Sequence, residues 1–146
     1  FWALDVEEVR RRLQASSQVL RQLGVAATGL TPPGWMPSAA SLTAARQCGL
    51  RYVTSTRAVH DLSSNRRHSI PAFCQRPGSL LSEVGRSVVE RGTANRLQRD
   101  LPIRLGLHPA DLNHPRLRGS SLRVIDRAIE AGRDAITYLE YLERAA

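Results

Sequence analysis

The chain has 146 residues, 42% hydrophobic and 23% charged, enough for one domain with a real core. It has no run of about eighteen or more apolar residues, so no membrane-spanning helix is expected, and no targeting segment is visible. Basic residues outnumber acidic ones by 21 to 13, a formal net charge of +8, which invites a nucleic-acid reading. However, every basic residue is Arg, and they are spread along the chain. They cluster only at Arg10-Arg11-Arg12, beside Glu7 and Glu8, and at Arg66-Arg67 in a turn, so no nucleic-acid partner is expected.

The first helix is signalled by Asp5 and Glu8 at capping-box spacing. It continues along the stripe Val6, Val9, Leu13, Ser17, Leu20 and Leu23 and stops at Gly24. Val25 to Leu30 reads as a short strand. Thr31 to Pro37 contains three prolines and a glycine and is expected to be irregular. Ser38 caps a second helix, with Ala39, Leu42, Ala44 and Ala45 inward and a stop at Gly49. Leu50 to Ser55 is the next strand. Ala58 to Leu62 and Ile70 to Phe73 are read as a hairpin around the polar turn Ser63 to Arg67.

Pro77-Gly78-Ser79 is expected to open a third helix through Leu80, Leu81, Val84, Val88 and Val89, with Gly92 as its stop. Leu101 to Leu107 is the clearest strand. A proline-broken loop from His108 to Gly119 follows. Ser120 or Ser121 then caps a fourth helix, with Leu122, Ile125 and Ile129 inward and a stop at Gly132. Ala135 to Tyr138 is read as a last strand, and Leu139 to Arg144 as a closing helical turn. Cys48 and Cys74 match no zinc spacing and are expected as two buried free thiols.

Helices alternating with strands predict an α/β fold with a mainly parallel sheet, and residues 1–146 read as a single domain. Ligands in such folds bind at the carboxyl ends of strands. That rule selects Thr31 to Trp35, Thr54 to Thr56, and His108 to Asp111, which are expected to share one rim. His108 could be a general acid or base, because an imidazole titrates near neutral pH. Asp111 could orient that ring. The plainer alternative is a loop histidine whose ring simply hydrogen-bonds to backbone, with Asp111 satisfying loop amides. His114 could complete a metal trio with His108 and Asp111. Trp35 suits either the apolar face of a sugar or simple packing. His60, Asp61 and His68 are expected to be solvated. No nucleophile elbow and no glycine-rich phosphate loop occurs.

Three stretches carry a family resemblance: Gly29-Leu30-Thr31-Pro32-Pro33-Gly34-Trp35, Cys48-Gly49-Leu50-Arg51-Tyr52-Val53-Thr54-Ser55, and Leu105-Gly106-Leu107-His108-Pro109-Ala110-Asp111. The tail Ala135 to Glu140 also fits. In order and spacing they resemble the NodB-type polysaccharide deacetylases, and most of all a poorly characterised bacterial subgroup. The resemblance implies a distorted (β/α) barrel, of which this chain would be a part. It also implies metal-dependent removal of an acetyl group from an amino sugar, usually with zinc. In the family an early Asp is the base, a second Asp and two His hold the metal, and a late His is the acid. By resemblance His108 is that late His, with Asp111 beside it, and Trp35, Pro33 and Thr54 line the carbohydrate groove.

The departures from the family are specific. The early Asp-Asp and His-x-x-x-His motifs are missing, Asp5 reads as a helix cap, and the arginine usual in the groove motif is replaced near Thr31. The chain therefore corresponds to the C-terminal half or more of such a domain. Its expected partners are a carbohydrate substrate and the missing N-terminal part of the same domain. A divalent metal, zinc, is expected in the complete domain and none in this chain alone, which is expected to be inactive by itself. A cytoplasmic setting is slightly favoured over the cell envelope. The alternatives are a degenerate, non-catalytic member that binds a carbohydrate or a protein, and a basic RNA-binding domain.

Overall fold

A computed structural model of the chain describes residues 2–74 and 82–146. In chain order the elements are α1 (Val6–Gln22), β1 (Gly29–Leu30), a short 3₁₀ turn (Pro33–Trp35), α2 (Ala39–Gln47), β2 (Tyr52–Thr54), β3 (Val59–Asp61), β4 (Arg67–His68) and β5 (Ala72–Cys74). They continue with α3 (Ser82–Gln98), β6 (Arg104–Gly106), a second 3₁₀ turn (Pro109–Asn113), α4 (Pro115–Glu130) and α5 (Tyr138–Arg144). This is a mixed α/β protein. The described residues form two compact units, one running to Ser69 and including Ile136–Ala146, the other Ile70–Ala135.

The first unit holds a four-stranded sheet in the order β1-β2-β3-β4. Only β1 and β2 run parallel; β3 and β4 add on as antiparallel strands. The sheet is therefore mixed rather than mainly parallel. Asp5 caps α1 by accepting the Glu8 N–H at 2.8 Å. The other half of the expected capping box is absent, because the Glu8 carboxylate turns to Arg11 and Arg12 at 2.8 and 2.7 Å. Those two guanidiniums, Arg11 foremost, hold the Glu8 carboxyl down to about 2. With Arg10 paired to Glu7, the whole Arg10–Arg12 cluster is matched by acids on its own helix.

The core of this unit is Val9, Leu13, Ala44, Ala45, Leu50, Val53 and Leu62, with Leu4, Val6, Leu30, Leu42 and Cys48 packed against it. Ser38 and Ser41 cap α2 reciprocally. Ser41 is buried, whereas Ala39 is exposed rather than inward. The returning strand of the hairpin is Arg67–His68, not Ile70–Phe73. The turn is tighter than expected because Asn65 adopts a positive φ of 58° and Asp61 gathers the amides behind it. Asp61 is buried rather than solvated. Burial pushes its carboxyl up, but Ser63 and Ser64, donating four hydrogen bonds, outweigh that and hold it well below the usual carboxylate range.

The chain from Ala135 to Thr137 forms no strand. Thr137 and Glu140 instead make a reciprocal capping box that opens α5. His68, half-buried, meets Tyr141 edge-on at 5.6 Å.

In the second unit β5 and β6 pair in parallel, Ala72 with Arg104, Phe73 with Leu105 and Cys74 with Gly106. The expected helix opening at Pro77 to Ser79, with Leu80 and Leu81, lies outside the described residues. Gly92 does not stop α3, which runs on to Gln98. A Cβ at Gly92 would lie 2.4 Å from the Phe73 ring, so this glycine marks a close helix–strand approach.

Helix α4 starts at Pro115, earlier than expected, with proline in its first turn. Its buried face is Leu117, Ser120, Ser121 and Val124, and Leu122, Ile125 and Ile129 lie outward. Ser120 can be buried because its hydroxyl donates to Glu90 at 2.9 Å, and Arg123 closes on the same oxygen at 2.8 Å. Cys48 and Cys74 are both free thiols, Cys48 half-buried and Cys74 exposed rather than buried.

Candidate functional site

The first unit presents the carboxyl ends of β1 and β2 side by side. Gly29 pairs with Tyr52 and Leu30 with Val53, so Thr31 and Thr54 follow in register. The Thr54 hydroxyl is buried and donates to Thr31 Oγ1 at 3.0 Å, while Thr31 itself is exposed. Beyond Thr31, Pro32 is buried and the chain turns at Pro33, Gly34 and Trp35. The Trp35 N–H bonds back to the Pro32 carbonyl at 2.9 Å, and the Trp35 carbonyl accepts the Thr56 N–H at 3.1 Å. That second bond ties the turn to the end of β2. Gly34 and Trp35 have φ of +65° and +54°. Glycine adopts this region freely, but a tryptophan there is strained by about 1–3 kcal/mol and is held only by its surroundings. Trp35 is half-buried and Pro33 exposed.

The second unit presents His108 two residues past the end of the parallel strand β6. His108 is exposed and extended (φ −108°, ψ 140°), and it caps the turn Pro109–Asn113. The cap is reciprocal. The Ala110 N–H donates to His108 Nδ1 at 3.3 Å, and the His108 N–H donates to Asp111 Oδ2 at 2.8 Å. The Asp111 N–H returns to the His108 carbonyl at 2.8 Å. Asp111 thus grips the backbone of His108 and not its imidazole, and it orients the ring only by fixing the loop beneath it. Its other oxygen, Oδ1, is buried with no hydrogen-bond partner among the described residues.

With Nδ1 accepting, the neutral ring carries its proton on Nε2. That leaves Nε2 as the ring nitrogen not engaged by its own loop.

The predicted residues therefore fall into two groups. Thr54, Thr31, Pro33 and Trp35 come together in the first unit, and His108 and Asp111 in the second. His114 caps α4 through its backbone and is exposed. Among the described residues no three His, Cys, Asp or Glu side chains are grouped so as to hold a metal ion. The described residues of this chain do not by themselves fit the zinc that the resemblance implies. No described helix is long and apolar enough to cross a membrane.

His60 lies on β3, half-buried. Burial first, and the Arg67 charge second, push its imidazole below the ordinary range. The cap is what the plainer alternative of the sequence analysis expects: the His108 ring bonds to backbone and Asp111 satisfies a loop amide. His108-Pro109-Ala110-Asp111 has a proline at the first turn position and an acid two residues after it, a legible capping signature. No family model, no curated protein and no solved structure matches this chain.

Proposed function

We propose that this chain is the distal part of a metal-dependent amino-sugar deacetylase of the NodB type, part of a distorted (β/α) barrel, with His108 as its general acid. The observation that carries the reading is the state of His108. It stands exposed just beyond a parallel strand, with Nδ1 taken by the Ala110 amide. Its Nε2 edge is left for a substrate, and the ring in its cationic form is a proton donor there.

Amide hydrolysis needs such a group. An amine leaves a tetrahedral intermediate poorly as an anion. The imidazolium form of His108, with Nδ1 protonated and released from the Ala110 amide, passes its Nε2 proton to the nitrogen as the C–N bond breaks and its electron pair passes to nitrogen; a neutral amine and acetate leave, and the ring returns to neutral. Asp111 serves this step by holding the His108 main chain. In the first unit Trp35, Pro33 and the exposed Thr31, whose hydroxyl accepts from the buried Thr54, make an aromatic, apolar and hydroxyl-bearing surface of a kind suited to a sugar ring; Thr54, expected to line the groove, is buried behind it.

The test is acetate release from N-acetylglucosamine oligomers by the complete gene product supplied with zinc. His108→Ala should lower turnover about a hundredfold or more with the far-UV spectrum unchanged. Near-normal turnover would remove His108 from the chemistry. Oligomer binding without any acetate release would favour a non-catalytic carbohydrate-binding member instead.

A further inference from the structure

Along the chain the arginines are scattered, but the fold of the first unit draws Arg46, Arg51, Arg66 and Arg67 together. Leu62 links two of them. Its N–H donates to the Arg51 carbonyl at 2.8 Å, and its own carbonyl accepts from Arg46 Nε at 3.2 Å. Arg46 also reaches Asn65 Oδ1 at 2.8 Å, in the turn that leads to Arg66 and Arg67. The Asp61 N–H donates to the Arg66 carbonyl at 2.9 Å, and Arg67 pairs with His60 across β3 and β4. Side chains alternate along a strand, so Arg51, His60 and Arg67 share the face on which Val53 and Leu62 meet Ala44 and Ala45 of α2. Arg51 and Arg67 are two strands apart, about 10 Å, and two residues apart along the sheet, about 7 Å.

These arginines are exposed, and among the described residues none of them pairs with a carboxylate. Helix α1 is the contrast, because there Arg10, Arg11 and Arg12 are matched by Glu7 and Glu8. At the hairpin end the nearby acid is Asp61. It is buried, and Ser63 and Ser64 occupy both of its oxygens. It offsets part of the positive charge and leaves the guanidiniums themselves open.

A group of guanidiniums on the margin of a sheet suits closely spaced oxyanions, because each planar fork takes a carboxylate or phosphate through two hydrogen bonds. Nucleic acid would meet the same charges, but single strands are held as well by stacking on aromatic rings. Here the tyrosines lie on the opposite face, Tyr52 against Tyr138 and Tyr141 against His68.

We infer that Arg46, Arg51, Arg66 and Arg67 form a binding surface for an acidic glycan, one that carries carboxylates at regular intervals. That the partner is a glycan rests on the deacetylase reading above. The surface lies at the opposite end of β2 from Thr54, so it holds a stretch of polymer apart from the groove and takes no part in the chemistry.

Fluorescence anisotropy of end-labelled polygalacturonate with the full chain tests this, with dextran as the neutral polymer and poly(U) as the nucleic acid. Polygalacturonate should bind and dextran should not. Raising salt from about 0.05 M to about 0.2 M should weaken binding about tenfold. Arg51→Glu, Arg66→Glu and Arg67→Glu should each weaken it about threefold to tenfold. Arg57→Glu makes the same change of charge at the other end of β2 and should stay within about twofold of wild type. All of these variants change exposed side chains, and an unchanged far-UV spectrum checks that each is folded. An Arg57 variant as weak as the others would trace the binding to net charge alone and overturn the inference. So would a chain that does not bind polygalacturonate, or one that binds poly(U) more tightly. Binding is read without acetate release, so a chain that binds polygalacturonate through these arginines but releases no acetate keeps the surface and loses the deacetylase reading.

Discussion

Replacing Gly29 by alanine should destabilise the first unit, although glycine-to-alanine changes in strands ordinarily stabilise. Gly29 sits in β1 directly opposite Tyr52 in β2, and the tyrosine ring lies flat over the position a side chain would take. A Cβ there would meet Tyr52 Cζ, Cε2 and Cε1 at 2.2, 2.3 and 2.5 Å, against about 3.5–4.0 Å for comfortable carbon contact. The ring must withdraw by more than about 1 Å. It cannot do so freely, because it also packs on Tyr138, 5.4 Å away with the planes at 58°. Overpacking of this kind costs about 1–3 kcal/mol, and disturbing the aromatic pair adds about 0.5–1.5 kcal/mol. Alanine returns about 0.5–1 kcal/mol through lower backbone entropy in the unfolded chain. The net expectation for Gly29→Ala is a loss of about 1–2 kcal/mol. Both tryptophans, Trp2 and Trp35, lie in the same unit, so tryptophan fluorescence during urea unfolding reports on it selectively. The midpoint should fall by about 0.5–1 M at unchanged slope. In a Tyr52→Ala background the same substitution should be neutral or mildly stabilising, which gives a coupling of about 1–3 kcal/mol. A rise in midpoint for Gly29→Ala alone would refute the ring-over-glycine packing.

The second unit offers the parallel experiment. Gly92→Ala should lower the stability of α3 by about 1 kcal/mol or more despite alanine's helix propensity, because its Cβ would meet Phe73 at 2.4 Å. Phe73→Leu should relieve the defect, and slower hydrogen exchange at α3 amides in Gly92→Ala alone would contradict this. Asp61 should contribute to acid stability. Its carboxyl sits below the ordinary value in the folded chain, so its contribution is fully present above about pH 4 and lost as pH falls through the lowered folded value. Asp61→Asn should therefore cost on the order of 2 kcal/mol at pH 7 and flatten the acid limb of the stability profile; an unchanged acid limb would show that Ser63 and Ser64 do not hold the charge.

The sequence was read most faithfully where local chemistry decides the outcome. Asp5 at α1 and Ser38 at α2 cap the helices expected of them, because a cap is settled by a side chain and an amide a few residues away. Reading failed where a residue answers to something distant. Gly92 looks like a helix stop, and only the approach of Phe73 from β5 explains a glycine inside α3. Asp61 looks like a surface acid, and only the returning turn makes it buried. The strand expected at Ala135 to Tyr138 does not form. Thr137 and Glu140 stand at capping-box spacing, and that signal outranks a run of four apolar and β-branched residues.

Helix α4 shows the physical root of the harder failures. Hydropathy ranks Leu122, Ile125 and Ile129 as the inward face, while the helix buries two serines instead. A serine can be buried at little cost when its hydroxyl is satisfied, and Ser120 is satisfied by a glutamate from a different helix. Periodicity cannot foresee that partner, so it assigns the wrong face. The same logic bears on His108. Its place after a strand was legible from alternation alone, but its tautomer depends on an amide two residues on and a carboxylate three residues on. Those contacts fix the neutral ring's tautomer, and strand–helix alternation alone does not reveal them. Asp111→Ala should therefore shift the neutral His108 ring toward a mixture of tautomers in its imidazole ¹⁵N spectrum, with His114 unchanged. A His108 spectrum that is already mixed in the wild type would show that the loop does not set the proton's position.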